Sequence, residues 1–364
     1  MDPRRRKIAI RGLLGLLAAL SAGGFSCASI GPTTVTRDRL DYGTALTESW
    51  KRQALLNIVK LRYLDPPTFV DVGSIVSGYT LETSGAVGGT VFPNAPGDSI
   101  TAGAQGKFTD RPTVTYVPLT GKSFMGGLMT PLPPESLFFT IQSGWPADVM
   151  MRLGVVAING HRNEEASITG WSRAEPEFTR ISELMRRIQL RGAVNIRVQV
   201  DEAKRQSALF TLHGKNVSPE TREESAELRR LLGLDPDAIE FRLVFGSVAA
   251  NDKEIAVLTR SILHTIQTLA MRVEVPETDV AEGRAVPGAL GTISDGTLGE
   301  RVFVRSSEAD PTKEAFVSIR YRDRWFWIDD RDLVAKRDFA FIMLLFALAN
   351  TGSEAGLPVI TIPA

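Results

Sequence analysis

Apolar residues recur at helical spacing over residues 41–64, where Leu46, Trp50, Leu55, Ile58 and Val59 share a face and Pro66-Pro67 stops the run. Phe69, Val70, Val72 and Ile75 then read as a strand. From residue 79 the period drops to two. Tyr79, Leu81, Val87 and Val91 occupy odd positions against Thr80, Glu82, Ser84 and Thr90, with glycines crowding between them. After the turn signal at 93–98 the apolar set moves to even positions, namely Ile100, Ala102, Ala104 and Phe108. That shift predicts a long Gly-rich β-hairpin over 77–109. Residues 113–117 read as another strand or a continuation of the second arm.

Short helices are expected over 122–160, punctuated by Pro131, Pro133, Pro134 and Pro146, with a strand at 155–158 ending at Asn159-Gly160. Downstream the pattern predicts helix 175–191, strands 193–200 and 207–213, helix 219–233, strand 239–246 and helix 252–272. A Pro/Gly-rich loop over 276–300 follows. Strands at 301–305 and 315–328 come next, the latter turning near Arg322-Asp323, before helix 331–349 and an edge strand at 359–362. Helices and short antiparallel strands mix without a βαβ rhythm, so the expected class is α+β. No repeat of 20–50 residues is present. Residues 41–160, with the first helix and the hairpin, and residues 161–364 are expected to pack as one globular unit.

The first 26 residues are patterned differently. Arg4, Arg5, Arg6, Lys7 and Arg11 precede the apolar run 12–22, and small residues lead to Cys27, the chain's single cysteine. This is the order of a secretory signal, and the run is shorter than the roughly 20 residues that span a bilayer. Ser26-Cys27 resembles the lipobox of bacterial lipoproteins, although Gly24 stands where that family usually has Leu. The resemblance implies cleavage before Cys27, acylation of its thiol with palmitate-like chains, and a tether over 27–40. Ala28 is not the Asp that retains many such proteins at the inner membrane, which implies the outer membrane, facing the periplasm. Ordinary cleavage after Ala28, with Cys27 discarded, is the alternative.

Composition narrows the rest. The chain of 364 residues carries 42 basic and 42 acidic side chains. Without the leader, which holds five basic residues and Asp2, 37 basic and 41 acidic residues remain, a net of −4. Nothing in that balance points to nucleic acid. One cysteine excludes internal disulfides and cysteine-only metal sites.

No catalytic, metal or cofactor site is predicted. Thr120-Gly121-Lys122-Ser123 lacks the earlier glycine of a phosphate loop, since position 116 is Tyr, and reads as a helix start. His161, His213 and His264 have no local nucleophile or paired ligand. Asp329, Asp330 and Asp332 are placed to cap the last helix rather than to bind Ca²⁺. Tyr321, Trp325 and Trp327 are expected on one strand face, either as a partner surface or packed on the core. The apolar stretch 338–349 is too short to cross a bilayer and reads as a buried helix or one facing a subunit.

These features point to a non-enzymatic envelope lipoprotein with a structural, assembly or scaffold role, partnered by the membrane through its anchor and by another protein or copies of itself. Two alternatives stand: an oligomeric outer-membrane pore that inserts the 77–109 hairpin, and a periplasmic hydrolase whose site is assembled from distant residues.

Overall fold

An unbroken helix, α1 (Gly31–Arg62), begins ten residues earlier than the periodicity predicts and takes in most of the expected tether. Pro32 lies in its first turn, where a missing N–H costs nothing. The last turns bury Ala54, Leu55, Ile58 and Val59. Two amides one turn apart on this helix then act as a strand edge. Asn57 accepts from the Thr68 N–H and donates to the Thr68 carbonyl, both at 2.9 Å. Gln53 treats Val70 the same way at 2.7 and 3.0 Å. Thr68 and Val70 are two residues apart, so their hydrogen-bonding groups point the same way.

The computed structural model describes residues 31–90, 99–167, 170–200, 206–212, 218–288, 302–311 and 313–350. The leader, Cys27, His213 and the expected strand at 359–362 lie outside them. After α1 come β1 (Val70–Val76), β2 (Tyr79–Thr90), β3 (Ser99–Asp110) and β4 (Thr113–Pro118), with β1 beside β4 and β2 beside β3. The chain divides into two compact units. Unit 1 is residues 1–46 and 72–116; unit 2 is residues 47–71 and 117–364.

Unit 1 holds the β2–β3 ladder, antiparallel in continuous register from Tyr79↔Asp110 to Thr90↔Ser99. Odd positions of β2 therefore pair with even positions of β3, as the alternation predicts. The Tyr79 and Phe108 rings stack at 5.8 Å. The Tyr79 hydroxyl donates to Asp38 of α1, and this bond holds the Asp38 carboxyl below the usual range. Arg37 lies 5.8 Å over the Tyr79 ring.

Unit 2 opens with α2 (Gly121–Met129), α3 (Pro134–Gln142) and α4 (Ala147–Gly154), followed by β5 (Val155–Ile158) and β6 (His161–Arg162). Asn159 and Gly160 have φ of 43° and 90°, the both-positive geometry of a two-residue hairpin turn. The short pair β7 (Glu165–Ser167) and β8 (Gly170–Ser172) precedes α5 (Pro176–Leu190), β9 (Val194–Val200), β10 (Gln206–Leu212) and α6 (Pro219–Leu232). Gly233, at φ 64°, closes α6 with its N–H on the Arg229 and Arg230 carbonyls. Next come β11 (Glu240–Phe245), β12 (Glu254–Thr259), α7 (Ile262–Ala270) and α8 (Glu277–Ala281). The chain continues with β13 (Arg305–Ser307), β14 (Ala315–Tyr321), β15 (Arg324–Asp329) and α9 (Leu333–Asn350).

The fold is α+β, with a six-stranded mixed sheet in the order β6-β5-β12-β11-β10-β9, a three-stranded antiparallel sheet β13-β15-β14 and smaller two-stranded sheets. Only β11 and β12 run parallel within it. Helix α3 packs on β9, β11 and β12, while α5 packs against α4 and α6. Residues 254–259 correct the expected helix over 252–272. They are β12, buried at five of six positions between β11 and β5. A strand buried on both faces has no alternation to reveal it.

The β14–β15 hairpin turns at Arg322-Asp323, with φ of 48° and 63°. Its register pairs Tyr321 with Arg324, Arg320 with Trp325 and Ser318 with Trp327. Tyr321 thus shares its face with Phe326 and Ile328, not with Trp325 and Trp327 as expected, because the turn reverses the chain and swaps parity. Helix α9, expected to be buried or to face a subunit, has Phe339, Phe341 and Ile342 at most 1% exposed. No helix among the described residues is long and apolar enough to cross a membrane.

Candidate functional site

A cleft of unit 2 has a volume of about 760 Å³, and arginines and carboxylates line it. Its floor follows from the end of α4, whose last carbonyls need donors from outside the helix. Asn163 donates to the Arg152 and Val155 carbonyls at 2.8 and 2.7 Å. Arg260 donates to the Arg152 and Leu153 carbonyls at 2.7 and 3.3 Å, and also to the Glu164 carbonyl. Arg260 is 0% exposed, and burial lowers its pKa to about 10. A cation at a helix C-terminus meets the negative end of the dipole.

Two ion pairs sit above this floor. Arg272 pairs with Glu164, and both side chains are at most 6% exposed. Arg152 of α4 grips Asp338 of α9 through two bonds of 2.9 and 2.6 Å. Asp148 lies between Arg186 at 3.6 Å and Arg337 at 3.9 Å, and Glu183 meets Arg180 at 3.3 Å. Each of the four carboxylates lining the cleft therefore faces a guanidinium. Neither histidine nor cysteine is among the lining residues, and the Ser182 hydroxyl donates back to the Phe178 carbonyl at 3.0 Å. The arrangement can hold charge in place; it offers no nucleophile beside a base. The sequence reading missed all of these groups. Their one local signal is a charge inside an apolar run, as at Arg152 in Met-Met-Arg-Leu and Arg260 after β12.

His161 and His264 lie outside this cleft. His161, at the start of β6, has Nε2 2.8 Å from the Leu231 carbonyl. Its ring and the Glu175 and Glu177 carboxylates bring three potential ligand atoms within 4.8 Å of one another. Sequence reasoning expected no such cluster. Glu175 also accepts from the Arg162 N–H at 3.0 Å, which ties β6 to the start of α5, where the helix dipole favours carboxylates. His264, on α7, is half-buried. Burial, reinforced by Arg260 and opposed by Glu165, lowers its pKa from 6.5.

A depressed histidine pKa means that the unfolded chain takes up the proton first. Stability is therefore full above pH 6.5 and falls as the pH drops from there toward the folded value. Thermal melts should show this slope in the wild type and a flatter curve for His264→Gln. Equal slopes would remove His264 as the source.

The aromatic residues proposed as a partner surface are not one surface. Trp327 is 8% exposed, with Arg305 at 5.7 Å over its ring, and Trp325 is half-buried. Tyr321 packs at 5.6 Å on Tyr63, and its hydroxyl donates to Asp65. Of the three aspartates, Asp332 caps the last helix as expected of a carboxylate here. Asp332 accepts from the Val334 and Ala335 N–H groups at 3.1 and 3.0 Å. Asp329 accepts from the Arg331 N–H at 2.9 Å, and Asp330 pairs with Lys336 at 2.7 Å. Gly121 begins α2, the helix start expected in place of a phosphate loop.

In unit 1, Glu82 of β2 and Lys107 of β3 are register partners, 3.9 Å apart and both exposed. No protein-family profile, curated protein sequence or solved structure matches the chain.

Proposed function

We propose that this chain is an exported lipoprotein, anchored through acylated Cys27 in the outer membrane and facing the periplasm, which acts by assembly rather than catalysis. The observation that carries the assembly role is the state of unit 1. Among the described residues its β2–β3 ladder has two strands and no third strand pairs with either edge. Val35, Leu40, Phe108 and Tyr116 of the same unit are 50% to 65% exposed. A lone two-stranded ladder is marginally stable in water, and open apolar edges invite another strand. A surface of this kind suits a chain that is completed by a protein partner or by its own copies.

The anchor reading is supported by the charged, apolar and small-residue order of the first 26 residues and by Ser26-Cys27. Several acyl chains, each gaining about 0.8 kcal/mol per buried CH₂, hold a protein stably at a bilayer. The hydrolase alternative lacks support in the cleft, where carboxylates face guanidinium groups and no histidine is among the lining residues.

Fractionation of cells making the wild type and Cys27→Ala tests the anchor. The wild type is expected with outer membranes, carrying an acylated N-terminus by mass, and the variant in the soluble fraction. A wild type that is unacylated, or that stays in the cytosol with its leader intact, would overturn the reading.

A further inference from the structure

We infer that the β2–β3 ladder enters a lipid bilayer as one hairpin of a ring made from identical copies, with one face toward hydrocarbon and the other toward water. The inference rests on the envelope reading above and names the partners of unit 1: further copies of this chain and a lipid surface.

Register and residue order carry it together. The pairing Leu81↔Phe108, Val87↔Ala102 and Gly89↔Ile100 puts odd β2 positions and even β3 positions on one side. Between positions 81 and 108 that side reads Leu, Thr, Gly, Val, Gly on β2 and Ile, Ala, Ala, Gly, Phe on β3, with no ionisable residue. The opposite side reads Thr, Glu, Ser, Ala, Gly, Thr on β2 and Ser, Thr, Gly, Gln, Lys, Thr on β3. Between positions 81 and 108 charges are therefore confined to one side, where Glu82 and Lys107 partner each other, and Asp110 stands on the apolar side only at the end of the ladder. Strands of membrane barrels alternate in this way, apolar outward and polar toward the lumen.

Length and ends agree. Each arm has 12 residues, more than the roughly 9–11 that a tilted strand needs to cross the hydrocarbon core. The stacked Tyr79 and Phe108 sit at the base of the apolar side, the level at which barrels carry aromatic girdles. Asp110, opposite Tyr79, ends the ladder there.

Closure requires copies. Unpaired backbone groups in lipid cost several kcal/mol each, so an open hairpin cannot stay inserted alone. Glu82 lies on β2 and Lys107 on β3. A head-to-tail neighbour, with its β2 beside this β3 in matching register, sets a glutamate against a lysine at every junction, and such heterologous contacts close into a ring when the rotation between copies closes.

The test uses the full-length acylated protein in vesicles of phosphatidylethanolamine and phosphatidylglycerol. With Cys27 acylated, Val87→Cys and Ala86→Cys each carry one free thiol, on opposite sides of the ladder. A membrane-impermeant maleimide should label Ala86→Cys at least about tenfold faster, because position 87 faces lipid. Equal labelling would overturn the inference. Ring particles of the wild type are expected by electron microscopy in detergent. Glu82→Lys should abolish them and Glu82→Lys with Lys107→Glu should restore them; a strict monomer would also overturn the ring. The mass of the N-terminus reads the anchor separately. An acylated monomer with equal labelling refutes the ring alone, whereas an unacylated chain that shows side-selective labelling refutes the anchor alone.

Discussion

Replacing Glu164 with alanine is expected to destabilise unit 2 by about 3–5 kcal/mol, the usual cost of removing one partner from a buried ion pair. Arg272 would then be a buried cation without this counter-charge, and its Nε already has no hydrogen-bond partner among the described residues. Arg260 adds a second buried cation beside it. The damage comes from the stranded charge more than from the lost attraction, so the double variant Glu164→Met with Arg272→Met should lose much less than the sum of the single variants. All five tryptophans (50, 145, 171, 325 and 327) belong to unit 2, so tryptophan fluorescence during urea unfolding follows this unit. A loss under about 1 kcal/mol for Glu164→Ala would mean that water reaches the pair.

Asn57→Ala should cost about 1–3 kcal/mol by the same measurement, because it removes the shared partner of two backbone groups and empties a buried site. Asn57 is 0% exposed, and its amide is the partner of both the N–H and the carbonyl of Thr68. No strand edge replaces it. Gln53→Ala, one turn earlier, removes an amide that is itself partly exposed rather than buried and should cost less. Equal losses would show that helix packing, and not the amide pairing, holds the entry to β1. Asn57→Asp keeps the acceptor but removes the donor and buries a charge, so it should not rescue the alanine variant.

The lipid-anchor reading draws on residues 1–28 alone, whereas the cleft was invisible in the sequence. Its main contacts join Glu164 to Arg272 and Arg152 to Asp338, separated by 108 and 186 residues. No periodicity links positions so far apart. The amide pairing of Asn57 was hidden for a different reason. The stretch from Ser49 to Tyr63 is distinctive, yet a buried Asn on a helix announces a need for partners without naming them.

Hairpins mark the boundary most clearly. Odd-to-even alternation across 79–108 was enough to place the apolar positions of both arms on one side, because antiparallel partners there keep a constant, odd sum of residue numbers. The same rule holds in β14–β15, where Tyr321 pairs with Arg324. Tyr321, Trp325 and Trp327 share parity, and on a single straight strand they would share a face; the turn at Arg322-Asp323 separates them.

By itself, then, the sequence determined the elements that carry a visible period, turn or cap: the second half of α1, both hairpins, the capped start of α9 and the α+β class. Tertiary structure alone decided β12, the ion pairs of the cleft and the split of the aromatic residues. A strand covered on both faces carries no alternation, and a charge deep in the core is chosen by whatever the fold brings opposite it.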